Sequence, residues 1–286
     1  MANLLKGKDV ASSINERSKK DVELLKEKGV IPTIAVFRVG EKDGDLSYEK
    51  GINKRSEEVG ANVIKYIFDE DVKEDEFYKK LEEANNDDGI HGILVFRPLP
   101  KRFDDKKLRN FIKPEKDIDG CGDLSLAGVF TNTKLGFAPC TAQSAVEILD
   151  YYGIDVTGKN VTVLGRSLVI GKPVSMLLLN KNATVTICHT KTVDIEEVAQ
   201  KADILICATG VMESVNSKYV KEGQTIIDVG ISFNEEKGKL CGDCLFEEVE
   251  PIVSNITPVP GGVGSVTTSV LINHVVEAAK RKYEKD

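Results

Sequence analysis

The chain has 286 residues, a net charge of −7, 41% hydrophobic and 30% charged residues, six cysteines, three histidines and no tryptophan. This length suits two modest domains, and the acidic balance, without a long basic run, argues against attraction to nucleic acid. No apolar stretch reaches the ~20 residues of a membrane span, and the N-terminus turns polar too early for a secretory signal.

In chain order, residues 8–28 read as an amphipathic helix with Val10, Ile14, Val22 and Leu25 on one side. Residues 32–40 read as a strand ending in a glycine loop, and residues 47–59 as a helix that stops at Gly60. A strand over 63–68, a charged helix over 71–85 and a short apolar strand over 92–96 follow, the last as expected of a buried parallel sheet. After residue 140, β-rich runs at 161–164, 184–187, 204–207 and 225–229 alternate with helix-like segments, including 174–179 and 195–200. That rhythm predicts a doubly wound parallel sheet. Residues 269–285 read as a last long helix.

The cysteines read as reduced thiols of a cytoplasmic protein. Cys241 and Cys244 form one CxxC, but a metal site wants a second pair or nearby histidines. No metal is expected, and the pair reads as a surface turn.

The first strand after residue 140 runs into Gly165-Arg-Ser-Leu-Val-Ile-Gly171-Lys-Pro173 and then a helix. Gly165 permits a tight turn, Gly171 a close backbone approach, and Pro173 suits a first helical turn. A helix N-terminus there offers free N–H groups to a phosphate, so the segment reads as a dinucleotide loop although its spacing is not GxGxxG. An NAD site usually has an acid after the second strand for the ribose hydroxyl. Here that strand ends in Cys188-His-Thr-Lys-Thr192, without an acid, and Arg166 with Thr190 and Lys191 suits a 2′-phosphate. NADP is therefore expected over NAD.

Several spaced segments match one family: Pro98-Leu-Pro100, Pro114-Glu-Lys-Asp-Ile-Asp-Gly120, Pro139-Cys-Thr141, the 165–173 loop, Cys188–Thr192, Ala208-Thr-Gly210, Asp228-Val-Gly230 and Ile256-Thr-Pro-Val-Pro-Gly-Gly-Val-Gly264. Over nearly the whole chain their order resembles the FolD-type methylenetetrahydrofolate dehydrogenase/cyclohydrolases. The resemblance implies two α/β domains with a cleft between them. Residues 1–140 with 267–286 would be the folate-binding catalytic domain, and 141–266 a Rossmann-like NADP-binding domain. It implies a tetrahydrofolate one-carbon substrate and a homodimer formed through the cofactor domain, with no nucleic-acid or membrane partner. Tyr48 and Asp119 would be catalytic, Tyr48 stacking on folate and Asp119 binding the pterin amino edge. Phe96, Pro98, Gly261, Gly262 and Val263 would complete the substrate site. Thr141, Gly165, Arg166, Ser167, Gly171, His189, Thr190, Ala208, Thr209, Gly210, Val229 and Gly230 would hold NADP.

Two departures stand out. The family has a catalytic lysine four residues after the tyrosine, where this chain has Ile52, and a glutamine where it has Phe96. Lys50 and Lys54 lie on the far side of the helix from Tyr48, and Arg97 should face opposite Phe96 along a strand, reaching the cleft only if the strand ends there. Isoleucine cannot polarise water or take a proton. Ala142 and Ser265 also replace family prolines. Oxidation of 5,10-methylenetetrahydrofolate is thus expected to survive, with the cyclohydrolase step weak or absent. The alternatives are an ordinary bifunctional enzyme and a non-catalytic folate- or nucleotide-binding homologue.

Overall fold

The computed structural model describes residues 1–283 and divides into two compact units. One comprises Met1–Ala11 and Thr141–Thr267, the other Ser12–Cys140 and Thr268 onward. Residues 1–11 thus group with the second half of the chain, because strand β1 (Asn3–Leu4) pairs in parallel with a strand near residue 255.

The chain continues through α1 (Gly7–Glu27), β2 (Thr33–Val39), α2 (Asp43–Val59), β3 (Asn62–Phe68), α3 (Glu74–Asn86), β4 (Gly92–Val95), α4 (Asp105–Phe111) and α5 (Asp123–Thr131). It then forms α6 (Cys140–Tyr151), β5 (Asn160–Leu164), α7 (Gly171–Asn180), β6 (Thr184–Cys188), α8 (Ile195–Lys201), β7 (Ile204–Cys207) and β8 (Thr225–Asp228). A β9 (Ser232–Asn234) and β10 (Lys239–Cys241) hairpin, α9 (Phe246–Val249), β11 (Asn255–Ile256) and α10 (Thr267–Tyr283) complete it. Residues 284 and 285, expected in the last helix, lie outside the described residues.

The Ser12–Cys140 unit holds a parallel sheet in the order β3-β2-β4. Every residue of β2 is buried, as expected of a mostly apolar strand inside a parallel sheet, and its one charged residue, Arg38, is paired with Glu49. Phe37 stacks on Tyr66, with ring centroids 4.4 Å apart, and meets Phe77 edge-on. Each such buried aromatic contributes about 1.5–3 kcal/mol of burial free energy.

The other unit is a six-stranded parallel sheet in the order β1-β11-β8-β7-β5-β6. Leaving out β1, and counting β5 as the first strand, this is the doubly wound order 2-1-3-4-5, which reverses between β5 and β7. Leu164, Leu205, Cys207, Ile226, Val249 and Ile256 are among its core residues.

Candidate active site

Helix α2 opens with Asp43 and Asp45 in its first turn, where they oppose the helix dipole. It ends at Gly60, whose left-handed φ of 87° lets its N–H bond back to the Ser56 carbonyl. Its inner face carries Glu49, Ile52, Ser56 and Val59. Glu49 is pinned by Arg38 of β2 at 2.9 Å and Lys65 of β3 at 2.7 Å. Burial alone would raise its pKa, but the two cations hold the carboxyl below its ordinary value. This ion pair locks α2 onto the sheet and so places the neighbouring Tyr48.

Tyr48 lies edge-on to Phe96, with ring centroids 5.8 Å apart, and hydrogen-bonds the Thr268 side chain. One turn along α2, Ile52 is fully buried, and Phe96 is 6% exposed. Lys50 and Lys54 are exposed, as their helical phase requires. Burial raises the Tyr48 phenol well above its ordinary pKa, and nearby Cys140 and Asp119 add to the rise.

Strand β4 ends at Val95, so strict alternation does not extend to Phe96 and Arg97. Arg97 lies 3.5 Å from the Asp119 carboxylate and donates to the Cys121 sulfur, as the early end of the strand allows. The Cys121 thiol donates to Asp119 Oδ2 at 3.0 Å. Burial raises the Asp119 pKa, partly offset by the Cys121 hydrogen bond and the Arg97 charge.

Two neighbours shape the turn that carries Asp119. Asp117 accepts from the Cys121 and Gly122 N–H groups and from the Ser125 hydroxyl. His274 Nδ1 donates to the Ile118 carbonyl at 2.8 Å. Burial lowers the His274 pKa to about 4, so the ring is neutral at pH 7. Gly120 has φ 67°, and a Cβ there would lie 2.5 Å from backbone atoms of Ala138 and Pro139. The turn therefore needs glycine.

In the other unit, the carboxyl ends of β6, β5, β7 and β8 form one edge. Leu164 pairs with Cys188 on one side and Cys207 on the other, so residues 165–167, 189–190 and 208–210 emerge side by side. Gly165 has φ 129°, and a Cβ there would lie 2.0 Å from the Ala208 carbonyl oxygen. A Cβ at Gly171 would lie 2.3 Å from the Gly165 carbonyl oxygen. Both glycines are thus required by close backbone approach. Ser167 Oγ accepts from the Ile170 and Gly171 N–H groups at the start of α7. Arg166, Thr190 and Lys191 are exposed, and residues 189–192 contain no carboxylate. A strand–glycine–helix corner at a sheet's reversal point, flanked by cations without a carboxylate partner among the described residues, fits a phosphorylated dinucleotide.

Two buried carboxylates support this edge. Asp243 accepts from the Thr209 and Gly210 N–H groups at 2.6 and 3.0 Å. Asp228 accepts from the N–H groups of Gly230, Asp243 and Cys244. Burial raises the Asp228 pKa to about 6 despite these bonds.

Of the residues expected from sequence, Tyr48, Phe96 and Asp119 gather in one unit, with Pro98 exposed beside Arg97. Gly261, Gly262 and Val263 belong to the other unit, where the Gly261 carbonyl accepts from the Gly7 N–H. Val263 is 2% exposed. The residues expected to hold the cofactor, Gly165, Arg166, Ser167, Gly171, His189, Thr190, Ala208, Thr209, Gly210, Val229 and Gly230, gather along the sheet edge, and Thr141 lies in the first turn of α6. Cys241 and Cys244 are 5% and 2% exposed, which corrects the expected surface turn: the segment folds under Asp228. Sequence reasoning missed the roles of Arg38, Glu49, Cys121, Asp243 and His274. Only Asp228 had a local signal, the Asp-Val-Gly at a strand end.

The family model described as the tetrahydrofolate dehydrogenase/cyclohydrolase catalytic domain matches residues 5–119, and its NAD(P)-binding domain counterpart matches 139–283. The bifunctional protein FolD of Clostridium kluyveri is 49% identical over 282 residues, 99% of each chain. Its namesake from Clostridioides difficile is 48% identical, over 99% of this chain and 98% of that one. Among solved structures, the Campylobacter jejuni bifunctional FolD has a TM-score of 0.94 at 37% identity, covering 99% of this chain and 100% of that one. The Trypanosoma brucei dehydrogenase-cyclohydrolase, complexed with NADP cofactor and an inhibitor, has a TM-score of 0.90 at 31% identity, covering 99% and 98%.

Proposed function

The chain belongs to the tetrahydrofolate dehydrogenase/cyclohydrolase family, and we propose that it oxidises 5,10-methylenetetrahydrofolate with NADP while hydrolysing the methenyl product weakly or not at all. NADP, when bound, would accept the hydride. Arg166, Ser167, Thr190 and the 208–210 turn would hold it, and Tyr48 and Asp119 would bind folate. This chemistry asks the protein mainly for orientation.

The observation that carries the reading is the apolar surround of Tyr48: Ile52 at 0% and Phe96 at 6% exposure. Hydrolysis needs a group that takes a proton from water or polarises it, and neither side chain can. Tyr48 keeps its proton at neutral pH because burial holds its pKa up. Arg97 is a cation beside the site, but a guanidinium stays charged and accepts no proton.

A second reading, the ordinary bifunctional enzyme, draws support from Arg97 reaching Asp119, where its charge would stand in for the family lysine. Replacing Arg97 by Leu separates the two. The main reading expects a higher KM for folate and unchanged, negligible hydrolysis. Selective loss of a substantial hydrolysis rate would favour the second. Tight NADP and folate binding by calorimetry without any NADPH formation would instead indicate a non-catalytic homologue. We place the chain in the cytoplasm, in keeping with free cysteines, and read it as a homodimer on the family resemblance alone; no helix among the described residues is long and apolar enough to cross a membrane.

A further inference from the structure

We propose that the Ser12–Cys140 unit carries a separate site for a small multivalent phosphate anion, in the cavity lined by His91, Lys113, Lys116, Lys134, Arg281 and Lys282. The cavity measures about 420 Å³, within the range of small-molecule sites. It adjoins the amino end of β4, which His91 precedes, whereas Phe96 and Arg97 follow the carboxyl end of that strand.

Five cations line the cavity with two carboxylates, Asp88 and Glu115; Asp88 pairs with Lys282 at 2.6 Å, and Arg281 pairs with Glu277 outside the lining. Two of the polar lining groups are themselves buried, Lys116 at 8% and His91 at 7% exposure. Lys116 Nζ donates to the Ala84 and Asp87 carbonyls at 2.9 and 2.6 Å, beside the end of α3. An ammonium has three N–H groups, and the third has no partner among the described residues. His91 Nδ1 accepts from the Thr33 N–H at 3.2 Å, so its proton sits on Nε2, which likewise has no partner among them. Burial, together with the charges of Lys113 and Lys282, pushes Lys116 down to about 8. Such crowding of like charge is unfavourable in the free protein, and a bound anion relieves it.

The geometry favours phosphate over carboxylate. The ammonium groups come as point charges from the 113–116 turn, from residue 134 and from α10, which suits oxygens that accept from several directions. The planar fork that carboxylates prefer is spent: Arg281 binds Glu277 and the carbonyls of Lys134 and Gly136, and covers the Phe137 ring.

The three histidines make natural reporters. Inorganic triphosphate, titrated into the full chain with ¹⁵N-labelled histidine at low salt, is expected to shift the His91 ring signals in a saturable way. Added salt should weaken the binding. A Lys113→Glu/Lys134→Glu variant, both positions being exposed, should bind at least tenfold more weakly, with the buried His274 signal reporting that it is folded. Lys201→Glu, on α8 of the other unit, should leave the shift intact. An unmoved His91, a shift confined to His189, or a His91 shift that survives the double charge reversal would overturn the site. Tighter binding of citrate than of triphosphate would overturn the phosphate assignment.

Discussion

Ile52 takes a position one helical turn from Tyr48 that solvent does not reach. A lysine introduced there would be desolvated, and desolvation lowers an ammonium pKa, which is how a base is obtained near neutral pH. The pair Ile52→Lys with Phe96→Gln is therefore expected to raise the rate of methenyltetrahydrofolate hydrolysis at least tenfold over the unmodified chain, measured as decay of the methenyl species; an unchanged decay would show that the defect lies elsewhere. Arg166 is exposed and has no partner among the described residues. If it binds the 2′-phosphate, Arg166→Ala forfeits a charge-assisted bond worth about 1.5–3 kcal/mol. NADP affinity should fall roughly 10- to 100-fold by that measure, with NAD affinity little changed in parallel titrations. His274 gives a pH signature. Its folded pKa of about 4 lies below the ordinary value of 6.5, so the stability from keeping it neutral is complete above pH 6.5 and is lost as pH falls towards 4. The loss amounts to at most about 3 kcal/mol. Denaturant unfolding at pH 7 and 4.5 should show the unmodified chain losing more stability than His274→Asn, whereas equal losses would contradict a neutral buried ring.

At the scale of elements, hydrophobic periodicity carried most of the information. Helix α1 buries Val10, Ile14, Val22 and Leu25 as its period requires, and the apolar runs became β2, β4, β5, β7 and β8. What escaped was short or set by distant partners. Strands β1 and β11 have two residues each and exist because they pair with one another and with β8. Arg38 sits inside an otherwise apolar strand and is tolerated only because Glu49, eleven residues on, neutralises it. Arg97 was expected to face away unless the strand ended there, and β4 does stop two residues earlier, which alternation alone could not decide. Cys121 became legible only once the turn after Pro114 had brought it against Asp119 and Arg97. The glycines divide in a testable way. Gly165→Ala meets both a φ of 129° and the Ala208 carbonyl oxygen, and is expected to destabilise by about 2 kcal/mol or more and to abolish NADP binding. Gly210 also has positive φ, at 69°, but open space around a Cβ, so Gly210→Ala should cost about 1–2 kcal/mol. Thermal unfolding of the two variants checks the order.

At the scale of the molecule, two units divide the labour: one carries the Tyr48–Phe96–Asp119 cluster, the other a parallel sheet whose order reverses beside Gly165. The corner at Gly165 was legible because a strand, a glycine and a helix in sequence imply a turn whatever lies elsewhere. The capacity for hydrolysis depends instead on which side chains the fold brings around Tyr48. On the proposed reading, those side chains would leave hydride transfer its binding groups and deprive hydrolysis of a base. The most direct test mixes the purified chain with 5,10-methylenetetrahydrofolate and NADP and follows NADPH and methenyltetrahydrofolate separately. The two should rise together, and the methenyl product should persist, decaying no faster than it does without protein. NADPH formation accompanied by prompt conversion of the methenyl species to 10-formyltetrahydrofolate would contradict the account.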